Sequence, residues 1–172
     1  DGAGAPWDHG PDRLDEDRGL YRPMTTLILP ATPDHADYLR DNLRPGERHE
    51  IACLGATPAE ALRASLAGSI FARTAILDGR IAAMWGVGGS PLGGVGEPWL
   101  LTAVDVERVP VKMVRTARAE VGAMLGLFPI LTNYVTAEYR QACRFLEVVG
   151  FRLGPAFPFK GALWHEFRME RS

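Results

Sequence analysis

Apolar positions recur along this chain with two different periods, and each change of period marks a change of element. Thr25 to Leu29 reads as a short strand closed by Pro30. Thr32 and Pro33 then supply a cap and a first-turn proline, and Ala36, Leu39 and Leu43 fall on one helical face. Pro45 and Gly46 read as the stop of that helix. Thr57, Pro58 and Glu60 form a capping box for a second helix, whose buried stripe is Ala59, Leu62 and Leu66. Strand-like runs return in Ile70 to Leu77 and Arg80 to Val87, separated by Asp78-Gly79, a strong signal for a tight hairpin turn.

Residues 86–96 hold six glycines and one proline. They read as a connecting loop that lets the hairpin's second strand open away from the next element. No G-x-G-x-x-G or G-x-x-x-x-G-K occurs there, so the loop is not a phosphate fingerprint. Pro98 to Val104 fits a central strand buried on both faces. A helix with Val114, Ala117, Val121 and Leu125 on its buried side comes next, with Pro110 in its first turn and an end near Gly126. Phe128 to Val135 is another strand, and a helix of that length between the two predicts that they lie adjacent and parallel. Tyr139 to Val149 is a helix stopped by Gly150, with Ala142, Phe145 and Val149 inward. Phe151 to Leu153 and Leu163 to Met169 close the chain as a strand pair around Pro155, Pro158 and Gly161. The order is β-α-α-β-β-β-α-β-α-β-β, a mixed α/β sheet with helices packed on its faces.

Composition narrows the picture. The chain has 172 residues, enough for one domain, with 47% hydrophobic and 23% charged residues, which excludes disordered, collagen-like and coiled-coil classes. No run is long and apolar enough to cross a bilayer, and the expected compartment is the cytosol, with no membrane partner. A net charge of -2 removes the basic field of a dedicated nucleic-acid binder. Cys53 and Cys143 belong to no C-x-x-C pair and read as buried thiols. Residues 1–23 differ from the rest, with six acids against three arginines, four glycines and three prolines. They read as an acidic extension with little to bury, in which Trp7, Leu20 and Tyr21 would anchor a protein partner. Residues 24–172 form the domain.

The element order, with a hairpin before the central strand, resembles the GNAT superfamily of acyl-CoA-dependent N-acetyltransferases. The family often ends on an N-x-x-A-x-x-x-Y-x-x-x-G-F pattern, and Ala142, Gly150 and Phe151 stand at its spacing. Two departures fall where chemistry would lie. The family's glycine-rich loop, whose backbone N–H groups hold the pyrophosphate of coenzyme A, is replaced by Asp105-Val106-Glu107-Arg108-Val109-Pro110-Val111-Lys112, which has no glycine and two acids. The tyrosine that in many members protonates the departing thiolate is replaced by Leu146, and the asparagine that opens the pattern by Tyr139. A narrower resemblance joins Asn42-Leu43-Arg44-Pro45, Glu50, the run from Gly96 to Thr102 around Trp99, and Leu131-Thr132-Asn133-Tyr134-Val135 to GNAT-like proteins encoded by tailed phages. Those of short-tailed phages include an internal virion protein.

These resemblances imply a phage-type GNAT-fold protein with a degenerate acyl-CoA site, without a cofactor, acting through protein partners or in a virion. The alternative is an active acetyl-CoA-dependent N-acetyltransferase with an atypical cofactor loop. Glu50, Glu97 and Asp105 are the carboxylates nearest to where a general base would stand. Val104, Arg108, Lys112 and Arg115 are the candidate cofactor contacts, since Arg108, Lys112, Arg115 and Arg118 form a helical stripe able to grip phosphates through side chains. No histidine has metal-ligand spacing to another. His165, among Leu163, Phe167 and Met169, reads as a core histidine with its ring nitrogens satisfied. No serine has the context of a nucleophile elbow.

Overall fold

Three prolines, each preceded by an extended residue, start the three helices that follow the first strand. The structure, a computed structural model, describes residues 25–104 and 111–171, the side chains of 111 and 112 apart. The extension with Trp7, Leu20 and Tyr21 lies outside the described residues. Strand β1 (Thr26–Pro30) leads to α1 (Pro33–Asn42), α2 (Pro45–Cys53) and α3 (Pro58–Gly68). A proline at the first helical position gives up no needed donor and holds its predecessor extended, as Thr32, Arg44 and Thr57 are. Thr32 and Thr57 close capping boxes with His35 and Glu60. The sequence reading missed α2. It took Pro45-Gly46 as a stop only, and α2 shows little apolar periodicity because one of its two buried residues is a carboxylate, Glu47, beside Ile51.

Asp78 and Gly79, both at positive φ, make the tight turn between β2 (Ser69–Leu77) and β3 (Arg80–Ser90). The expected loop over residues 86–96 is not one. Strand β3 runs through it, a 3-10 turn at Pro91–Gly93 reverses the chain, and β4 (Val95–Thr102) pairs with β3 from Ser90↔Val95 to Ala83↔Thr102. Glycine here serves close packing rather than looseness: a Cβ on Gly86 would stand 2.6 Å from the Phe71 carbonyl oxygen and 2.9 Å from the Trp99 indole nitrogen. Helix α4 (Val111–Leu127) then crosses to β5 (Ile130–Thr136), α5 (Arg140–Val149) ends on Gly150, and β6 (Arg152–Leu153), β7 (Phe157–Phe159) and β8 (Ala162–Glu170) complete the chain.

The eight strands form one sheet in the order β1-β2-β3-β4-β5-β8-β6, with β7 also on β8. All pairs are antiparallel except β4 with β5, which are parallel neighbours as the crossover helix predicts. Alternation along β3 divides the interior into two cores. Ala82 and Met84 face α1, α2 and α3 with Leu39, Leu43, Ile51 and Leu62; Ala83, Trp85 and Val87 face the other way, onto Met124 of α4 and Val149 of α5. The Nδ1 of His165 lies 2.7 Å from the Gly154 carbonyl oxygen, a contact that only donation satisfies, so Nδ1 carries the proton. The two cysteines are free and half-buried rather than fully buried. Among the described residues no helix is long and apolar enough to cross a membrane.

Gly96 is the pivot of the sheet. It pairs with Leu131 of β5, and a Cβ there would lie 2.6 Å from the Phe128 ring and 2.9 Å from Leu131. Both neighbours are fully buried and cannot withdraw. Gly96→Ala is therefore expected to destabilise the fold by about 1–3 kcal/mol, read from the denaturant midpoint. Unchanged stability would show that this junction is looser than its packing.

Candidate active site

Strands β4 and β5 pair only at Val95↔Ile130 and Gly96↔Leu131 and then part. This is why β4 is not buried on both faces along its length, as the sequence had led us to expect: Leu100, beyond the pairing, is exposed. The first group across the gap is Asn133, whose Nδ2 donates to the Pro98 carbonyl at 3.0 Å. Farther along, two carboxylates one turn apart on α2 hold the ends of both strands. Glu47 accepts the Thr102 amide at 2.8 Å and the Thr102 hydroxyl at 2.6 Å. Glu50 accepts the Thr136 amide at 2.6 Å and the Thr136 hydroxyl at 2.8 Å. The chain entering α2 reinforces the first clasp, with the Arg44 amide donating to the Thr102 carbonyl at 3.2 Å and Leu43 bridging Ala103.

Between Pro98 and Thr102, whose polar backbone groups meet partners on the β5 side, alternation points the N–H and C=O of Leu100 into the gap as well. No strand covers them among the described residues. Around this edge lies a cleft of about 690 Å³ that takes walls from both sides of the sheet, Ile51 and Ala61 on one and Ala117 and Phe145 on the other. The opening thus crosses the sheet through the splay.

Electrostatics distinguish the acids that line it. Burial pushes Glu47 up to about 7 against the opposing pull of its Thr102 bonds, and only 5% of the residue is exposed. Burial likewise raises Glu50, but both of its bonds fall on Oε1, so among the described residues Oε2 takes none. Glu120 of α4 is held by the Trp85 indole N–H at 3.0 Å and the Arg73 guanidinium at 3.3 Å. Burial also raises the Tyr139 phenol, helped by the charge of Glu47 and opposed by Arg44.

The sequence candidates meet different fates. Glu50 lies in the cleft. Glu97 is exposed on β4 opposite Gly88, outside the cleft walls. Val104 lies two residues past the end of β4 and donates its amide to the Asn42 carbonyl at 2.9 Å. Arg115 is exposed on α4 and is not a wall of the cleft, while the Arg118 guanidinium donates to the Val148 carbonyl at 2.7 Å and ties α4 to α5. Asp105, Arg108 and the Lys112 side chain lie outside the described residues. Sequence reasoning missed Glu47 and Asn133. The available signal for Glu47 was Pro45 as a helix start, which would have put Glu47 and Glu50 on one helical face.

No protein-family model and no curated protein matches the chain. Solved structures do match, at identities that show the fold alone. A GNAT-family acetyltransferase from Bacillus anthracis superposes with a TM-score of 0.64 at 9% identity, covering 84% of this chain and 94% of that one. The aminoglycoside acetyltransferase AAC(6')-Ib in complex with coenzyme A gives 0.61 at 17%, covering 86% and 95%. RimL, a ribosomal-protein alpha-N-acetyltransferase in complex with coenzyme A, gives 0.61 at 8%, covering 85% and 94%. The fold is that of the GNAT acetyltransferases. The expectation of no cofactor is overturned, because neighbours of this fold bind coenzyme A. Nothing in these matches supports the resemblance to phage-encoded or virion proteins.

The Glu47 clasp carries a pH signature. Its folded value of about 7 lies above the ordinary 4.5, so the native state holds this proton longer than the unfolded chain does. The associated stability is present below pH 4.5 and is lost as pH rises through 7. Glu47→Gln should flatten that decline in a denaturation series, whereas Glu47→Ala should cost about 1–3 kcal/mol at every pH by leaving the buried Thr102 amide unpaired. A Gln variant with the same pH slope as the parent would contradict the assignment.

Proposed function

We propose that this chain is an acetyl-CoA-dependent N-acetyltransferase. The observation that carries the reading is the uncovered β4 edge at Leu100, inside a cleft that crosses the sheet. A strand edge whose N–H and C=O no strand covers among the described residues suits the amides of an extended pantetheine arm, as an added strand would. A volume of about 690 Å³ falls in the range of small-molecule sites. The residues present therefore fit the group through backbone that needs no particular side chain, and this is why the loss of the glycine loop does not by itself exclude binding.

Bound acetyl-CoA would supply the acetyl group as a thioester, which an unprotonated amine attacks with loss of the thiolate. The chain's part is to manage protons and exclude water. Glu50 is the base this reading favours: Oε1 is anchored by Thr136, Oε2 takes no hydrogen bond among the described residues, and burial raises its basicity above that of an ordinary carboxylate. It takes one proton from the acceptor ammonium and releases it to solvent after turnover. Glu47 positions α2 by fixing Thr102. Leu146, in place of the family's tyrosine, is a wall of the cleft; Tyr139, a phenol in the same cleft, holds the proton a leaving thiolate needs.

Calorimetric titration with acetyl-CoA near physiological salt should show saturable binding, and absence of binding up to millimolar concentration overturns the reading. Glu50→Gln should lower kcat by about 10²–10⁴ while acetyl-CoA still binds. In the parent, activity should rise as pH climbs through the raised Glu50 value, and the variant should lose that limb. A variant with parental kcat and pH profile removes Glu50 from the chemistry.

A further inference from the structure

On the α2 side of the sheet the cleft has two walls of opposite chemistry. Thr132, Tyr134 and Thr136 alternate with the buried Leu131 and Val135, so the Tyr134 ring shares a face with the Thr136 hydroxyl that binds Glu50. Thr136 pairs with Trp164, and Trp164 with Phe157, which sets a row across three strands on that face. The Tyr134 ring stands edge-on to Phe157, with centroids 5.8 Å apart at 78°. Tyr134 is 55% exposed, and Phe157, Phe159 and Leu54 are exposed beside it. Tyr134, Leu54 and Glu50 all line the cleft. At the outer rim the Lys160 ammonium donates to the Leu54 carbonyl at 2.7 Å and sits 5.6 Å above the Phe159 ring, joining the β7–β8 turn to the end of α2.

We infer that the acceptor taken by this site is a primary monoamine carried on an apolar body, aromatic or aliphatic, with its nitrogen at Glu50 and its body against Tyr134, Phe157 and Leu54. The inference rests on the acetyltransferase reading and deepens it. A carboxylate at the inner end attracts one ammonium, and an aromatic wall left in water gains by covering itself with apolar surface. The other two acids of the cleft, Glu47 and Glu120, are already engaged by Thr102 and by Trp85 with Arg73, and the charge beside the aromatic wall is the Lys160 ammonium, so polyamines and aminoglycosides are poor fits. Transfer balances without a further reactant. Glu50 accepts one proton from the ammonium, the N–C bond forms as the C–S bond breaks, the Tyr139 phenol protonates the thiolate, and the second amine proton restores the phenol, giving the amide and coenzyme A thiol.

The test uses phenethylamine, hexylamine, ethanolamine, spermidine and kanamycin as acceptors with acetyl-CoA, together with calorimetric titration of phenethylamine into the chain alone. Phenethylamine and hexylamine should exceed ethanolamine in kcat/KM by at least tenfold, since each buried methylene is worth about fourfold. Tyr134→Ala should raise the phenethylamine KM and Kd about tenfold with kcat little changed, and Tyr134→Phe should restore both. Equal or faster turnover of ethanolamine, spermidine or kanamycin overturns the inference and leaves the acetyltransferase reading in place. Failure of phenethylamine to bind, or binding unaltered in Tyr134→Ala, overturns it too, whatever acetyl-CoA does. If acetyl-CoA alone fails to bind while phenethylamine binds through Tyr134, the acetyltransferase reading is the one that falls, and the amine site stands.

Discussion

Parting two neighbouring strands inside a sheet leaves backbone N–H and C=O groups without the partners that a continuous ladder supplies, and each buried orphan costs about 1–3 kcal/mol. This fold meets that cost at defined points. Asn133 reaches the Pro98 carbonyl, Glu47 takes the Thr102 amide, Arg44 gives its own amide to the Thr102 carbonyl, and Glu50 takes the Thr136 amide. Among the described residues no strand covers the stretch at Leu100, in the middle of the cleft. The cleft thus opens, among the described residues, at the one stretch of the splay that neither strand nor clasp covers.

Helix α2 can hold both strands because two acids at i and i+3 share one face and reach two different partners. Carboxylates are suited to this role, since each oxygen accepts more than one hydrogen bond, and each acid here takes both the amide and the hydroxyl of one threonine. The arrangement also differentiates them. Glu47 commits both oxygens to Thr102 and becomes a strut, while Glu50 commits only Oε1 among the described residues. At the opposite end of the splay, Gly96 lets Phe128 and Leu131 press against the backbone, so the strands meet closely there and diverge from that point.

The absence of a glycine loop after β4 and of the family's tyrosine led the sequence toward a decayed site without a cofactor. That inference weighed side chains and signature residues alone. A cofactor arm held along a strand edge depends on backbone groups that every residue but proline possesses, and a leucine in that edge offers them as well as any other residue. The likeness to acetyltransferases at 8–17% identity illustrates the same point, since chains sharing so few residues share one fold.

The order of strands and helices was legible in the sequence wherever local chemistry sufficed. Thr32 and Thr57 with their prolines, Asp78-Gly79 and Gly150 act within a few residues, and the length of the α4 crossover alone implied a parallel β4–β5 pair. Residues whose role depends on a distant partner were not legible. Glu47 looks like any first-turn acid until Thr102, 55 positions on, is brought to it, and although the sequence offered Glu50 as a candidate base, its hold on Thr136, 86 positions on, could not be read there. Gly86 and Gly96 read as loop glycines until the Phe71 carbonyl and the Phe128 ring are seen to press on them. Caps and turns are settled by near neighbours along the chain. Burial, splay and the basicity of a buried carboxylate are settled by what the tertiary fold packs against a residue, and only the folded structure could decide them.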